Sequence, residues 1–180
     1  VIAKKKCSNL IFVKARLDRY REISAQIRGI FKDYTDLIEP LSLDEVFLDV
    51  TVNKKNMELA SDIAREIRRR IKNETGLTAS AGISINKFLA KVATEINKPN
   101  GQKTIHPKNV DKFIDELRIE KFFGVGTVTA KKMNDYGIYY GKDLRKLDRR
   151  ILIDRFGKTG NHYYKIVRSI QDSPVNPSRI

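Results

Sequence analysis

The chain has 180 residues, enough for one ordinary domain or two small ones, and its 36 Lys and Arg against 22 Asp and Glu give a formal charge of +14. No apolar run approaches the roughly 18 to 20 residues of a membrane span. A single cysteine, Cys7, excludes an internal disulfide and a cysteine-built metal centre, and points to a reducing, cytoplasmic setting. The charge points to a polyanionic partner, most often nucleic acid.

No signal peptide is read at the start, where residues 1–9 read as the end of a helix or a linker. Leu10-Ile11-Phe12-Val13 reads as a short edge strand. Asp18 is the expected N-cap of an amphipathic helix carrying Tyr20, Ile23, Ile27, Ile30, Phe31 and Tyr34 at three- and four-residue spacing. The run Leu37 to Thr51 alternates as a strand does, but its parity slips. Leu41 and Leu43 share one parity; Val46, Leu48 and Val50 share the other. A bend at Asp44-Glu45 between two strands accounts for the slip. A second amphipathic helix, with Leu59, Ala60, Ile63, Ala64, Ile67 and Ile71 on its apolar face, closes near Gly76. Its basic run, Arg65, Arg68, Arg69, Arg70 and Lys72, reads as a solvated face.

Thr78 to Ser84 is a strand of small residues, which lets another element come close. A helix from about Ile85 to Asn97 is expected to bury Phe88, Leu89, Val92, Ala93 and Ile96. Pro99 and Asn100-Gly101 stop it, and Lys103 to His106 is a further strand. This order predicts an α+β layer, with helices on one face of a mainly antiparallel sheet. After Pro107 the pattern is helical: Val110 to Leu117, a helix after Gly124-Val125-Gly126, and short helices near 141–147, 149–155 and 160–171. The expected division is residues 1–107, 108–172 and a linker at 173–180.

Three sites could carry chemistry. Asp44 and Glu45 at a hairpin bend can converge on one ion, and their hard oxygens suit Mg²⁺; an ordinary solvated acidic turn is the competing reading. Gly124-Val125-Gly126-Thr127 before a helix, with Lys131 and Lys132 one turn in, is the pattern of a helix-hairpin-helix that seats a phosphate backbone; a plain turn between helices competes. Lys98, at a rigid helix end, could meet a triphosphate or simply complement the helix C-terminus. His106 and His162 have no ligand spacing around them, and Cys7 has no base partner in sequence.

These sites occur together and in order, and there the chain resembles the Y-family (translesion) DNA polymerases, most closely the bacterial DinB branch. Ser42 to Thr51 looks like that family's palm motif. Thr78 to Ala93, followed by Asn97-Lys98-Pro99-Asn100-Gly101, is similar to its second palm motif. Gly124-Val125-Gly126 matches the helix-hairpin-helix of its thumb. Phe156-Gly157-Lys158-Thr159-Gly160 and Pro174-Val175-Asn176-Pro177 are similar as well. The resemblance covers nearly the whole chain. Val46-Phe47 departs from the commoner Ala-Tyr but keeps an aromatic.

The resemblance implies a partial ferredoxin-like palm followed by a small all-α thumb. It implies that Asp44 binds two catalytic Mg²⁺ ions, that Glu45 is the adjacent active-site acid, and that Lys98 contacts the phosphates of the incoming nucleotide. The implied partners are primer-template DNA, deoxynucleoside triphosphates and, in the complete protein, a sliding clamp, and the implied activity is error-prone, lesion-bypassing DNA synthesis. Nothing in the chain matches the family's first metal-binding Asp, its aromatic steric gate, its fingers or its little finger. The chain is therefore expected to be an internal fragment, inactive alone. Two other readings compete: a non-enzymatic helix-hairpin-helix DNA-binding module, and a palm-type nucleotidyl cyclase.

Overall fold

The computed structural model describes residues 2–170 and 173–178. Its helices are α1 (Ile2–Lys6), α2 (Leu17–Lys32), α3 (Ala60–Thr75), α4 (Lys87–Ile96), α5 (Val110–Glu116), α6 (Thr127–Asp135), α7 (Gly141–Arg145), α8 (Arg149–Phe156) and α9 (Lys158–Ile166). Its strands are β1 (Ile38–Pro40), β2 (Val46–Leu48), β3 (Ala81–Ile83) and β4 (Gln102–Thr104). The fold is mixed α/β, with small sheets and many helices.

The strands form two separate pairs, not one mainly antiparallel sheet. β1 and β2 make an antiparallel hairpin in which Ile38 faces Leu48 and Pro40 faces Val46. β3 and β4 are parallel. The reason is connectivity: a parallel pair needs a crossover, and α4 supplies it between β3 and β4. Residues 10–13 do not form the expected strand. Ile11, Phe12 and Val13 are exposed and pair with no described backbone, and β propensity without a partner ladder does not make a strand.

α2 and α3 are amphipathic, and the hairpin covers the groove between them. Ile30, Phe31 and Tyr34 of α2 and its exit pack on Ile63, Ile67 and Ile71 of α3, and Ile38, Val46, Leu48 and Val50 close the cluster. The N-cap of α2 is Arg16, so Asp18 lies inside the first turn, where its charge still favours the helix N-terminus. Tyr20 is half exposed. Gly76 ends α3 at φ +74°, the left-handed conformation that favours glycine.

The basic face of α3 is not simply solvated. Arg68 donates to Ala79 O (2.9 Å), to Asn100 Oδ1 (3.1 Å) and to the Asn100 carbonyl. Arg70 pairs with Asp33 (2.7 Å) and Glu74 (2.8 Å), and these hydrogen bonds hold its guanidinium pKa above the usual value. Both arginines therefore tie α3 to neighbouring segments.

A second apolar cluster runs from α4 to the end of the helical region. Phe88, Leu89, Val92 and Ala93 pack with Ile105, Val110, Ile114, Ile119, Phe122, Met133, Leu144, Leu152 and Tyr163. Phe88 meets Phe122 at 5.4 Å between ring centroids. Ile96, expected inside, is 46% exposed because it occupies the last turn of α4, beyond this cluster. α4 thus sits between β3 on one side and the helical region on the other. Among the described residues, no helix is long and apolar enough to cross a membrane.

Candidate active site

The β1–β2 hairpin turns through residues 41–45. Leu41 N donates to Glu45 O at 2.9 Å, which closes the turn. Ser42 organises it from inside: its hydroxyl donates to Asp44 Oδ1 (2.6 Å) and accepts from Glu45 N (3.1 Å). Asp44 and Glu45 therefore stand at the bend, as the parity slip predicts. Leu41 and Leu43 do not belong to a strand face, and Leu43 is exposed at the tip. The side chain buried on β1 is Glu39, at 2% exposure.

α4 presents lysines to this hairpin. Asn86 caps the helix by accepting from Leu89 N at 2.9 Å. Lys87 and Lys91 follow one turn apart, on the same face. Lys91 Nζ is paired with Glu45 Oε1 and lies 5.5 Å from the centre of the Phe123 ring. Lys87 Nζ is 2.8 Å from Glu39 Oε2. The sequence reading gave no separate role to Glu39, Lys87 or Lys91, which the structure places beside the hairpin. The available signal was the i, i+4 lysine pair in the first turns of α4, where the residues between the two lysines are apolar.

Lys98 lies just past α4, at a cis Lys98–Pro99 peptide. Its ammonium is 2.6 Å from Glu95 Oε1. That hydrogen bond holds its pKa above the usual lysine value, with Glu45 and Asp44 adding to the rise. Lys98 therefore stays charged at neutral pH, within the field of both hairpin carboxylates. Asp44 and Glu45 at the hairpin bend and Lys98 just past α4, more than 50 positions apart in the chain, are near enough for their charges to interact.

The donor chemistry of the tip fits a hard cation. Asp44 Oδ1 and Glu45 Oε1 are engaged by Ser42 and Lys91, which leaves Oδ2 and Oε2 without a hydrogen bond from the described residues. No group of three or more His, Cys, Asp or Glu among the described residues is placed to hold a metal. Among the described residues, Asp44 and Glu45 are the two carboxylates at the hairpin bend, fewer than the roughly six oxygens a hard cation takes.

The chain belongs to the impB/mucB/samB family. That family's model matches residues 2–95, which include the hairpin and nearly all of α4. The chain is 55% identical over its full length to DNA polymerase IV 2 of Agrobacterium fabrum, and 53% identical over 99% of its length to DNA polymerase IV of Akkermansia muciniphila. It spans about 50% of each of these relatives. Among solved structures, DinB from Sulfolobus solfataricus superposes with a TM-score of 0.88 at 31% identity, over 98% of this chain and 52% of that one. An insertion ternary complex of Dbh DNA polymerase superposes at 0.86 and 31%, over 97% and 52%.

Outside the residues that the family model matches lies the turn of Gly124-Val125-Gly126, expected from the sequence as a phosphate seat. Gly124 has φ +87°, and Gly126 is the N-cap of α6 with no side-chain cap. The first intrahelical bond is Ala130 N to Gly126 O at 2.9 Å. The amides of Thr127, Val128 and Thr129 at the helix start are therefore available to a ligand. Lys131 is exposed on the next turn. Lys132 instead donates to Arg155 O at 2.6 Å and lies over the Phe156 ring, which makes it a packing residue.

Proposed function

We propose that this chain is the catalytic palm, followed by the thumb, of a DNA-template-directed DNA polymerase that works by two-metal nucleotidyl transfer and serves error-prone lesion bypass. The observation that carries this reading is the convergence of Asp44, Glu45 and Lys98. Two hard carboxylates and an ammonium charged at neutral pH, near enough for their charges to interact, suit a metal-bound triphosphate. The polymerase names of the relatives support the same reading.

Each residue has a separable task. Asp44 and Glu45 would hold the ions. When bound, two Mg²⁺ ions would activate a primer 3′-hydroxyl and neutralise the leaving pyrophosphate. Ser42 fixes the Asp44 carboxylate through its 2.6 Å hydrogen bond, so little of it remains to be ordered when substrate arrives. Lys98 takes the outer phosphates, and leaving Glu95 to do so costs little because an exposed ion pair is worth about 0–1 kcal/mol. The amides of residues 127–129 and Lys131 seat the DNA backbone without reading bases.

The test is primer extension by the full-length protein. Incorporation that follows the template and stops on chelation of divalent ions is expected; absence of template-directed incorporation in both Mg²⁺ and Mn²⁺ would overturn the reading. Lys98→Ala in that protein is expected to raise the KM for deoxynucleotides about tenfold or more, the scale of one lost charge-assisted hydrogen bond. Lys131→Ala is expected to weaken DNA binding equally across sequences and to lower the salt slope by about one, as measured by fluorescence anisotropy. The 180-residue chain by itself spans about half of the relatives' length, and its described residues bring no group of three metal-ligating side chains together, so it is expected to give no extension product.

A further inference from the structure

After α9 the chain turns back. Residues 173–178 run from the helical region to the hairpin and α4, and they meet a buried charge there. Asn176 N donates to Glu39 Oε2 at 2.8 Å, and Lys87 Nζ, itself 2.8 Å from that oxygen, donates to Pro174 O at 3.0 Å. Pro177 lines one cleft with Ile38 and Pro40, so the returning segment lies along β1. Ser178 N donates to Asn176 Oδ1 at 3.0 Å, which stiffens the segment.

We propose that Glu39 and Lys87 form a clasp that captures the backbone of residues 174–176 and binds it to the layer carrying Asp44 and Glu45. Three features argue for capture over a buried ion pair that merely fills the core. The carboxylate and the ammonium each face a backbone group of the segment, an N–H and a C=O two residues apart. Burial at 2% on Glu39 and a 20% exposed Lys87 side chain keeps water from competing for those bonds. The Phe47 ring, 5.7 Å from Lys87 Nζ, shields the ammonium further. The clasp adds to the links that Phe88–Phe122, Lys91–Phe123 and the shared apolar cluster make between the hairpin–α4 layer and the chain after Pro107. It also sets the direction of the chain at Pro177 relative to the two carboxylates. The clasp acts as a positioning device and touches no reacting atom.

Capture through the backbone predicts which substitutions matter. Amide hydrogen exchange on the 180-residue chain is expected to show Asn176 protected in the wild type. Glu39→Gln, which keeps shape but removes charge, is expected to speed its exchange about tenfold or more. Lys87→Met is expected to do the same, and because Lys87 is partly exposed it keeps the test open if the Glu39 variant fails to fold. Val175→Ala is expected to leave Asn176 protection unchanged. The amides of Tyr163, Ile166 and Val167 in and just after α9 report global unfolding and are expected to stay constant throughout. An unprotected Asn176 in the wild type would overturn the clasp, as would equal protection in a folded Glu39→Gln or Lys87→Met chain.

Discussion

Asp44→Asn in the full-length protein is expected to lower primer extension by about a thousandfold or more while leaving the fold and the DNA affinity intact. The two halves of this expectation have separate causes. Asp44 is exposed at the hairpin tip, and its side-chain partner among the described residues, Ser42 Oγ at 2.6 Å, can equally hydrogen-bond an amide. A substitution of this kind away from the core changes stability by roughly 0.5 kcal/mol or less, so the melting temperature should barely move. Activity is different. Asparagine keeps the shape but loses the negative charge that holds a divalent ion, and metal stabilisation of the transition state is worth several kcal/mol, at about 1.4 kcal/mol per tenfold. The competing helix-hairpin-helix module makes the opposite prediction, because it binds DNA through residues 124–131 and has no use for Asp44. Steady-state extension and binding anisotropy on the same preparation separate the two. Full activity in the variant would remove Asp44 from the chemistry and leave the module reading standing.

The hairpin tip was legible in the sequence because strand periodicity is rigid. A shift of one residue moves every side chain to the other face, so the change of parity between Leu43 and Val46 had to mark a bend, and the bend contains Asp44 and Glu45. Amphipathic spacing likewise located α2, α3 and α4, since the buried apolar residues of each are among those the spacing named, although α2 also buries Ser24. The sheet was misread for a physical reason. Strand hydrophobicity does not encode pairing direction; connectivity does, and the ten-residue α4 between Ile83 and Gln102 was the crossover that a parallel pair requires. Glu39, Lys87 and Lys91 were missed because each, taken alone, reads as solvent-facing. Their roles come from partners 46 to 137 positions away, and no local pattern carries that information. The arginines of α3 escaped for the same cause: Arg68 finds its acceptors at Ala79 and Asn100, beyond any helix periodicity.

The small residues of β3 were read as a place where another element comes close, and the closeness can be tested by two glycines with opposite expected signs. A Cβ built on Gly82 would lie 1.9 Å from Ala90 O, 2.5 Å from Thr94 N and 2.7 Å from Thr94 Oγ1. The first two are backbone atoms of α4, so no side-chain rotation relieves the clash and the helix itself has to move. α4 cannot move freely, because Phe88, Leu89, Val92 and Ala93 lock its other faces into the apolar cluster that continues to α9. Overpacking of this sort costs about 1–3 kcal/mol when neighbours can yield, and Gly82→Ala is expected at or above the upper end, about 3 kcal/mol or more. For a chain of this size that is a fall in Tm of roughly 6–12 °C. Gly29 lies within α2 with nothing within 4 Å of its would-be Cβ, and its Ala variant is expected to stabilise by about 0.5–1 kcal/mol, since alanine loses less backbone entropy on entering a helix. Thermal melts of the two variants under one buffer decide the matter. A Gly82→Ala chain as stable as the wild type would mean that α4 does not rest on β3 as closely as the 1.9 Å approach requires. The carboxylates on the hairpin and the lysines on α4 would then not be held in the register on which the candidate site depends.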